Sequence, residues 1–257
     1  MFSKMITDPD RLWLPPPANL ALSDNEVHVW RVSLDLTASQ IQSLQHTLAA
    51  GEMSWAERFY FHKDRRRFIV TRALLRAILS RYLDVEPGQL RFCYSPSGKP
   101  ALVATPDRKT LSFNLSHSHE LALVGVAFNR EIGIDLELIR TDFPCEQIAR
   151  QLFSPQENAV LHALPTKMKH EAFFNCWTRK EAYVKARGEG LSRPMQQFDV
   201  SPVPGEPATL SSIRGDPQEA YRWSLRELVA APGYVAALVV EGHNWRLACW
   251  QWPESLS

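Results

Sequence analysis

Between residues 26 and 34 apolar and polar positions alternate (EVHVWRVSL), the period of two of a half-buried strand. The period then lengthens. Thr37-Ala38-Ser39-Gln40 reads as a capping box opening a helix through Leu44 and Leu48 that Gly51 ends. Over residues 55–83, Leu74, Leu75, Ile78, Leu79 and Tyr82 recur at three and four, the apolar stripe of an amphipathic helix. A short strand is predicted over residues 90–94, followed by the turn Ser95-Pro96-Ser97-Gly98-Lys99-Pro100. Residues 111–115 and 121–128 read as two strands bracketing the polar connection Ser116-His117-Ser118-His119-Glu120, a hairpin pattern. Residues 132–138 alternate again. Ser154-Pro155-Gln156-Glu157 opens a further helix with a serine cap and proline in the first turn, and another helix is predicted over residues 171–186, stopped by Gly188 and Gly190. Three strand-like runs, residues 223–229, 234–240 and 245–252, follow among Pro/Gly loops. Residues 1–24 are proline-rich and read as an extended arm laid over the body.

One order of elements occurs twice: a helix, an apolar run, a turn and an apolar run, over residues 65–128 and again over residues 173–240. Two similar α+β halves related by a pseudo-twofold, with a ligand site at their interface, would produce it. The halves expected are residues 1–131, including the arm, and residues 132–257. Composition changes this picture little: 257 residues, 45% hydrophobic and 22% charged, are ordinary for a globular chain. A net charge of +1 gives no whole-protein attraction to nucleic acid or membrane, so neither is expected as a partner. The four cysteines contain no C-x-x-C pair, which argues against structural zinc or a disulfide framework and for a reducing cytoplasm. No apolar run is long enough to span a bilayer, and no signal peptide is apparent.

The chemistry is concentrated in two stretches. In IGIDLE, Asp135 and Glu137 stand at i and i+2, so on a strand both project from the face opposite Ile134 and Leu136. In FFNCWTRKEAYVKARGEGL, Trp177, Glu181 and Lys185 are spaced by four, so Glu181 and Lys185 share one side of a helix. Taken singly, these are a solvated strand face and a surface pair; together, three oxygen donors and a lysine suit Mg2+ and a bound pyrophosphate. Lys63, Arg65, Arg66, Arg67, Arg72, Arg76 and Arg81 make the side of the predicted helix away from its apolar stripe basic, either a solvated face or a place for an anionic ligand or partner.

The two stretches, Gly133-Ile134-Asp135 and Trp177-Thr178-Arg179-Lys180-Glu181-Ala182-Tyr183-Val184-Lys185, resemble the signature of the 4′-phosphopantetheinyl transferases. Upstream, Arg58-Phe59-Tyr60-Phe61, Gly98-Lys99-Pro100 and Asn114-Leu115-Ser116-His117 match further family motifs in order, so the resemblance covers roughly residues 58–191. The larger, Sfp-type members are pseudo-dimers, which fits the internal echo and implies a monomer. The resemblance implies Mg2+-dependent transfer of the phosphopantetheine arm of coenzyme A to a serine of an apo acyl- or peptidyl-carrier protein, releasing 3′,5′-ADP. It implies Asp135, Glu137 and Glu181 as metal ligands, Glu181 as base and Lys185 as phosphate stabiliser. Arg67, Lys99, Pro100, Asn114, Ser116, His117, Asp135, Glu181 and Lys185 become the coenzyme-binding set. Trp55 stands where relatives often carry a basic residue for the 3′-phosphate, so either Arg58 or Arg67 substitutes or 3′-phosphate binding is weaker here. For an acidic carrier protein, the candidate docking residues are Arg72 and Arg76, or Lys180 and residues 187–193. A Mg2+-dependent hydrolase or kinase is disfavoured, since neither a Walker A sequence nor the kinase motif set occurs. A catalytically silent coenzyme A or carrier-binding module is the remaining alternative.

Overall fold

The computed structural model describes residues 12–104, 109–188, 190, 194–216 and 218–253. Strand β1 (Glu26–Ser33) leads through two short helices, α1 (Ala38–Gln45) and α2 (Ala50–Ala56), into the 22-residue α3 (His62–Leu83). The small antiparallel pair β2 (Phe92–Tyr94) and β3 (Pro100–Leu102) precedes the hairpin β4 (Leu111–Ser118) and β5 (Leu121–Phe128). The same succession follows: strand β6 (Ile132–Leu138), short helices α4 (Cys145–Leu152) and α5 (Pro155–Ala163), and the 22-residue α6 (Thr166–Arg187). Then come the small pair β7 (Phe198–Val200) and β8 (Leu210–Ile213), and the hairpin β9 (Trp223–Leu228) and β10 (Tyr234–Glu241). The repeat is therefore longer than the helix-and-hairpin echo, because each half also opens on its own strand and two short helices.

In each half the opening strand pairs antiparallel with the second hairpin strand, β1 with β5 and β6 with β10. One further strand, β11 (Arg246–Gln251), crosses to the other half and runs parallel to β1, giving sheets ordered β11-β1-β5-β4 and β6-β10-β9. Each long helix packs on its own sheet: Ile69, Leu74 and Ile78 of α3 against Trp30, Val32 and Phe113, and Phe173, Phe174 and Tyr183 of α6 against Val239 and Phe198. A third cluster joins the sheets, with Val27, Val29 and Leu123 meeting Ile132, Ile134, Leu136 and Leu238. Burial on both faces explains why β5 and β10 read as continuous apolar runs. The arm is laid over this joint, where Trp13 is 4% exposed, its indole donates to Val229 O at 2.8 Å, and Leu14 bridges to Trp250; residues 1–11 lie outside the described residues.

Several expectations need correction. The capping box at Thr37 and Gln40 forms, but α1 ends at Gln45, and Gly51 lies inside α2 because Glu52 Oε2 accepts the Ala49 N–H at 2.9 Å and starts a new helix there. The long helix predicted from residue 55 begins at His62, and the signature helix begins at Thr166 rather than residue 171. Most consequential, Ser116, His117 and Ser118 belong to β4; the turn is at His119, whose φ is 53°. Helix α4 and the β7–β8 pair were not predicted.

Candidate active site

Helix α6 lies directly on β6. A Cβ at Gly133 would stand 2.0 Å from Ala182 O and 2.3 Å from Ala186 N, so only glycine allows the approach. Residues one position before each of these alanines, Glu181 and Lys185, are thereby brought beside the next outward residue of the strand. Lys185 Nζ stands 2.6 Å from Asp135 Oδ1 and donates also to Ile134 O at 3.2 Å.

On its other edge β6 meets side chains of β4. Asn114, Ser116 and Ser118 share one face of that strand. Asn114 Oδ1 accepts the Ile134 N–H at 2.9 Å and Ser118 Oγ accepts the Leu138 N–H at 3.1 Å, replacing the partner strand that the edge lacks. The serines also hold the acids: Ser116 Oγ donates to Asp135 Oδ1 at 2.8 Å, and Ser118 Oγ to Glu137 Oε2 at 2.9 Å. Ser116 in turn accepts from Lys185 Nζ at 3.0 Å.

Asp135 is 4% exposed, and its Oδ2 is buried with no hydrogen-bond partner. Glu181 is pushed up to about 7, first by burial, then by the charge on Asp135, with Lys185 pulling the other way and Glu137 adding to the rise. Burial and then Asp135 also raise Glu137. The three carboxylates thus share one electrostatic field, and an unsatisfied hard oxygen lies within it. This donor chemistry fits Mg2+, which takes few carboxylates and fills its octahedron with phosphate and water oxygens. Among the described residues no group of three His, Cys, Asp or Glu side chains is already arranged around a single point.

The other predicted residues lie along one groove. A cavity of ≈ 260 Å³ is lined by Lys99, Pro100, Asn114, Glu181 and Lys185. It shares Gly98, Pro100, Asn114 and Leu115 with a cavity of ≈ 480 Å³ that reaches Arg67, Arg72, Tyr94 and His117. Lys99 Nζ donates to Ala186 O and Glu131 Oε2, both at 3.0 Å, bridging the β2–β3 turn to the end of α6, where helix carbonyls favour a cation. Arg67 donates to His119 O at 3.0 Å. Trp55 is 54% exposed on the wall of the larger cavity, stacked on Phe68.

Two docking candidates are interior. Arg76 is 2% exposed, paired with Glu52 at 2.7 Å and donating to Pro87 O and Leu90 O. Lys180 is fully buried, paired with Glu157 at 2.9 Å and donating to Met195 O and Phe198 O. Arg72 pairs with the same Glu52 at 2.7 Å, Arg187 pairs with Glu219, and residues 191–193 lie outside the described residues. Within the signature helix, Trp177 stacks on Phe173 in the second-half core, leaving Glu181 and Lys185 to face the groove. Ser118 was missed by sequence reasoning; the signal available was its spacing, which matches Ser116 and Ser118 to Asp135 and Glu137.

Comparison with known proteins agrees across the chain. The family described as 4′-phosphopantetheinyl transferase superfamily matches residues 131–239, and that described as 4′-phosphopantetheinyl transferase, N-terminal, matches residues 33–129. The 4′-phosphopantetheinyl transferase HetI of Nostoc sp. is 45% identical over 93% of this chain and 98% of its own. A putative 4′-phosphopantetheinyl transferase of Synechocystis sp., slr0495, is 35% identical over 72% of this chain and 73% of its own. The 4′-phosphopantetheinyl transferase Sfp of Bacillus subtilis is 33% identical over 56% and 61%.

Proposed function

Because the chain belongs to the 4′-phosphopantetheinyl transferase superfamily, we propose that it transfers the phosphopantetheine arm of coenzyme A to a serine of an apo acyl- or peptidyl-carrier protein in a Mg2+-dependent reaction that releases 3′,5′-ADP. The observation that carries the site assignment is the buried, unpartnered Asp135 Oδ2 in the same field as a Glu181 carboxylate raised to about 7. Asp135, Glu137 and Glu181 would hold the ion, which when bound neutralises charge on the pyrophosphate. Transfer of this kind is mostly positioning and charge compensation, and the chain's own residues do both. Lys99, Pro100, Asn114, His117 and Arg67 line the groove for the coenzyme, with Ser116 and Lys185 beside Asp135 to meet phosphate charge. Glu181, poised near neutral pH, takes the proton of the attacking serine hydroxyl directly or through water.

In this reading residues 1–131 and 132–257 are the two halves that wall the groove, and their internal pairing makes a monomer sufficient. No helix among the described residues is long and apolar enough to cross a membrane; the cytoplasm is the compartment proposed. The test is to incubate the protein with coenzyme A, Mg2+ and apo carrier proteins and weigh the carriers. A phosphopantetheine mass gain is expected. Coenzyme A binding without a gain on any of several carriers would make the protein the silent binding module instead.

A further inference from the structure

We propose that Ser118 is a positioning residue that aims Glu137 at the metal site, the partner of Ser116 in a two-rung serine ladder set against the two acids of β6. The inference rests on the reading of Glu137 as a ligand. Ser118 is 8% exposed, and its hydroxyl is fixed from two sides. One lone pair accepts the Leu138 N–H at 3.1 Å, which leaves the O–H directed at Glu137 Oε2, 2.9 Å away. His119 Nδ1, at 3.5 Å, is a further and weaker polar neighbour. The Ser116–Asp135 rung has the same form, but the two are not equally redundant. Asp135 Oδ1 is held by Ser116 and by Lys185, whereas Glu137, with one more side-chain torsion and a place near the end of β6, is held by the Ser118 hydroxyl, with Lys185 and then Arg140 acting on it only electrostatically. Removing the Ser118 hydroxyl therefore takes away the directional contact that fixes the Glu137 carboxylate and leaves its orientation to undirected charge attraction. Hydrogen-bond partners of a ligand commonly matter to metal affinity almost as much as the ligand itself.

Mn2+ binding to the intact protein in the presence of coenzyme A, without a carrier protein, measures this separately from turnover. Ser118→Ala is expected to weaken Mn2+ binding at least about tenfold, Ser118→Thr to keep the hydroxyl and restore it, and Glu137→Gln to weaken it alone. In the Glu137→Gln background Ser118→Ala should add nothing. Unchanged Mn2+ affinity in Ser118→Ala, or an equal loss in both backgrounds, overturns the inference, the second because it would show a general structural role. Wild-type protein that binds no Mn2+ under these conditions overturns the metal reading itself; bound Mn2+ that ignores Ser118 overturns the positioning role alone.

Discussion

Strands β1 and β6 hold the same place in the two halves, opening each and pairing with the second strand of its hairpin, yet they turn opposite chemistry toward their long helices. From β1, His28 and Trp30 meet Tyr82 of α3, with Trp30 Nε1 donating to the phenol oxygen at 2.7 Å and His28 Nδ1 sharing a hydrogen bond with the phenol at 3.0 Å, while Trp250 and Trp252 pack alongside. From β6, Gly133 admits the helix backbone and Asp135 meets Lys185. Even the cations near the ends of the helices differ in what they find: Arg81 lies 5.2 Å over the Trp30 ring, Lys185 2.6 Å from a carboxylate. Burial presses His28 down to about 4, so it stays neutral at ordinary pH, whereas burial and neighbouring charge lift Glu181 to about 7. One scaffold position was filled with closely packed rings; its counterpart was left with a titrating acid and a spare carboxylate oxygen.

That contrast can be broken at either end. Asp135→Ala and Glu181→Ala should each lower carrier modification by at least about a thousandfold while circular dichroism and melting stay close to wild type; normal turnover in either would remove the metal assignment. Gly133→Ala should abolish soluble folding or lower the melting temperature sharply, since its Cβ meets backbone atoms that cannot rotate away, whereas Gly51→Ala, with nothing within 4 Å, should be tolerated. Trp30→Ala should cost about 3–5 kcal/mol of stability in denaturant melts, with Mn2+ affinity of the folded fraction unchanged, because β1 carries packing and no ligand. The smallest effect is a matter of pH. Glu181 binds its proton more tightly folded than unfolded, so this group's contribution to stability is greatest below the ordinary glutamate value of 4.5 and is lost as pH rises through about 7. Melts without metal between pH 5 and 8 should show that fall, and Glu181→Gln should remove it; a fall of equal size in the glutamine variant would assign the effect elsewhere.

Much of this was legible in the chain. The alternation over β1 and β6, the stripe of α3 and the capping boxes at Thr37 and Ser154 depend on neighbours within a turn or a strand, and they appear where their residues stand. What escaped depends on partners far along the chain. Ser116 and His117 look like a hairpin tip because polar residues in a strand appear out of place until β6 provides an acceptor for Ser116 and the groove takes His117 on the opposite face. Arg76 and Lys180 look like surface cations because Glu52 and Glu157, which allow their burial, are not their helical neighbours. For the same reason Asn114, Ser116 and Ser118 gave no sign locally that together they tie one half to the other.

The parallel pairing of β11 with β1 also sets an order on biosynthesis. A ribosome delivers β1 long before residues 246–251, so the earlier half must wait with one strand edge bare, a form prone to stray pairing with other nascent polypeptides. Closure of that sheet is a late event in maturation, and stop codons upstream of β11 would leave behind a sticky remnant in place of a smaller working enzyme.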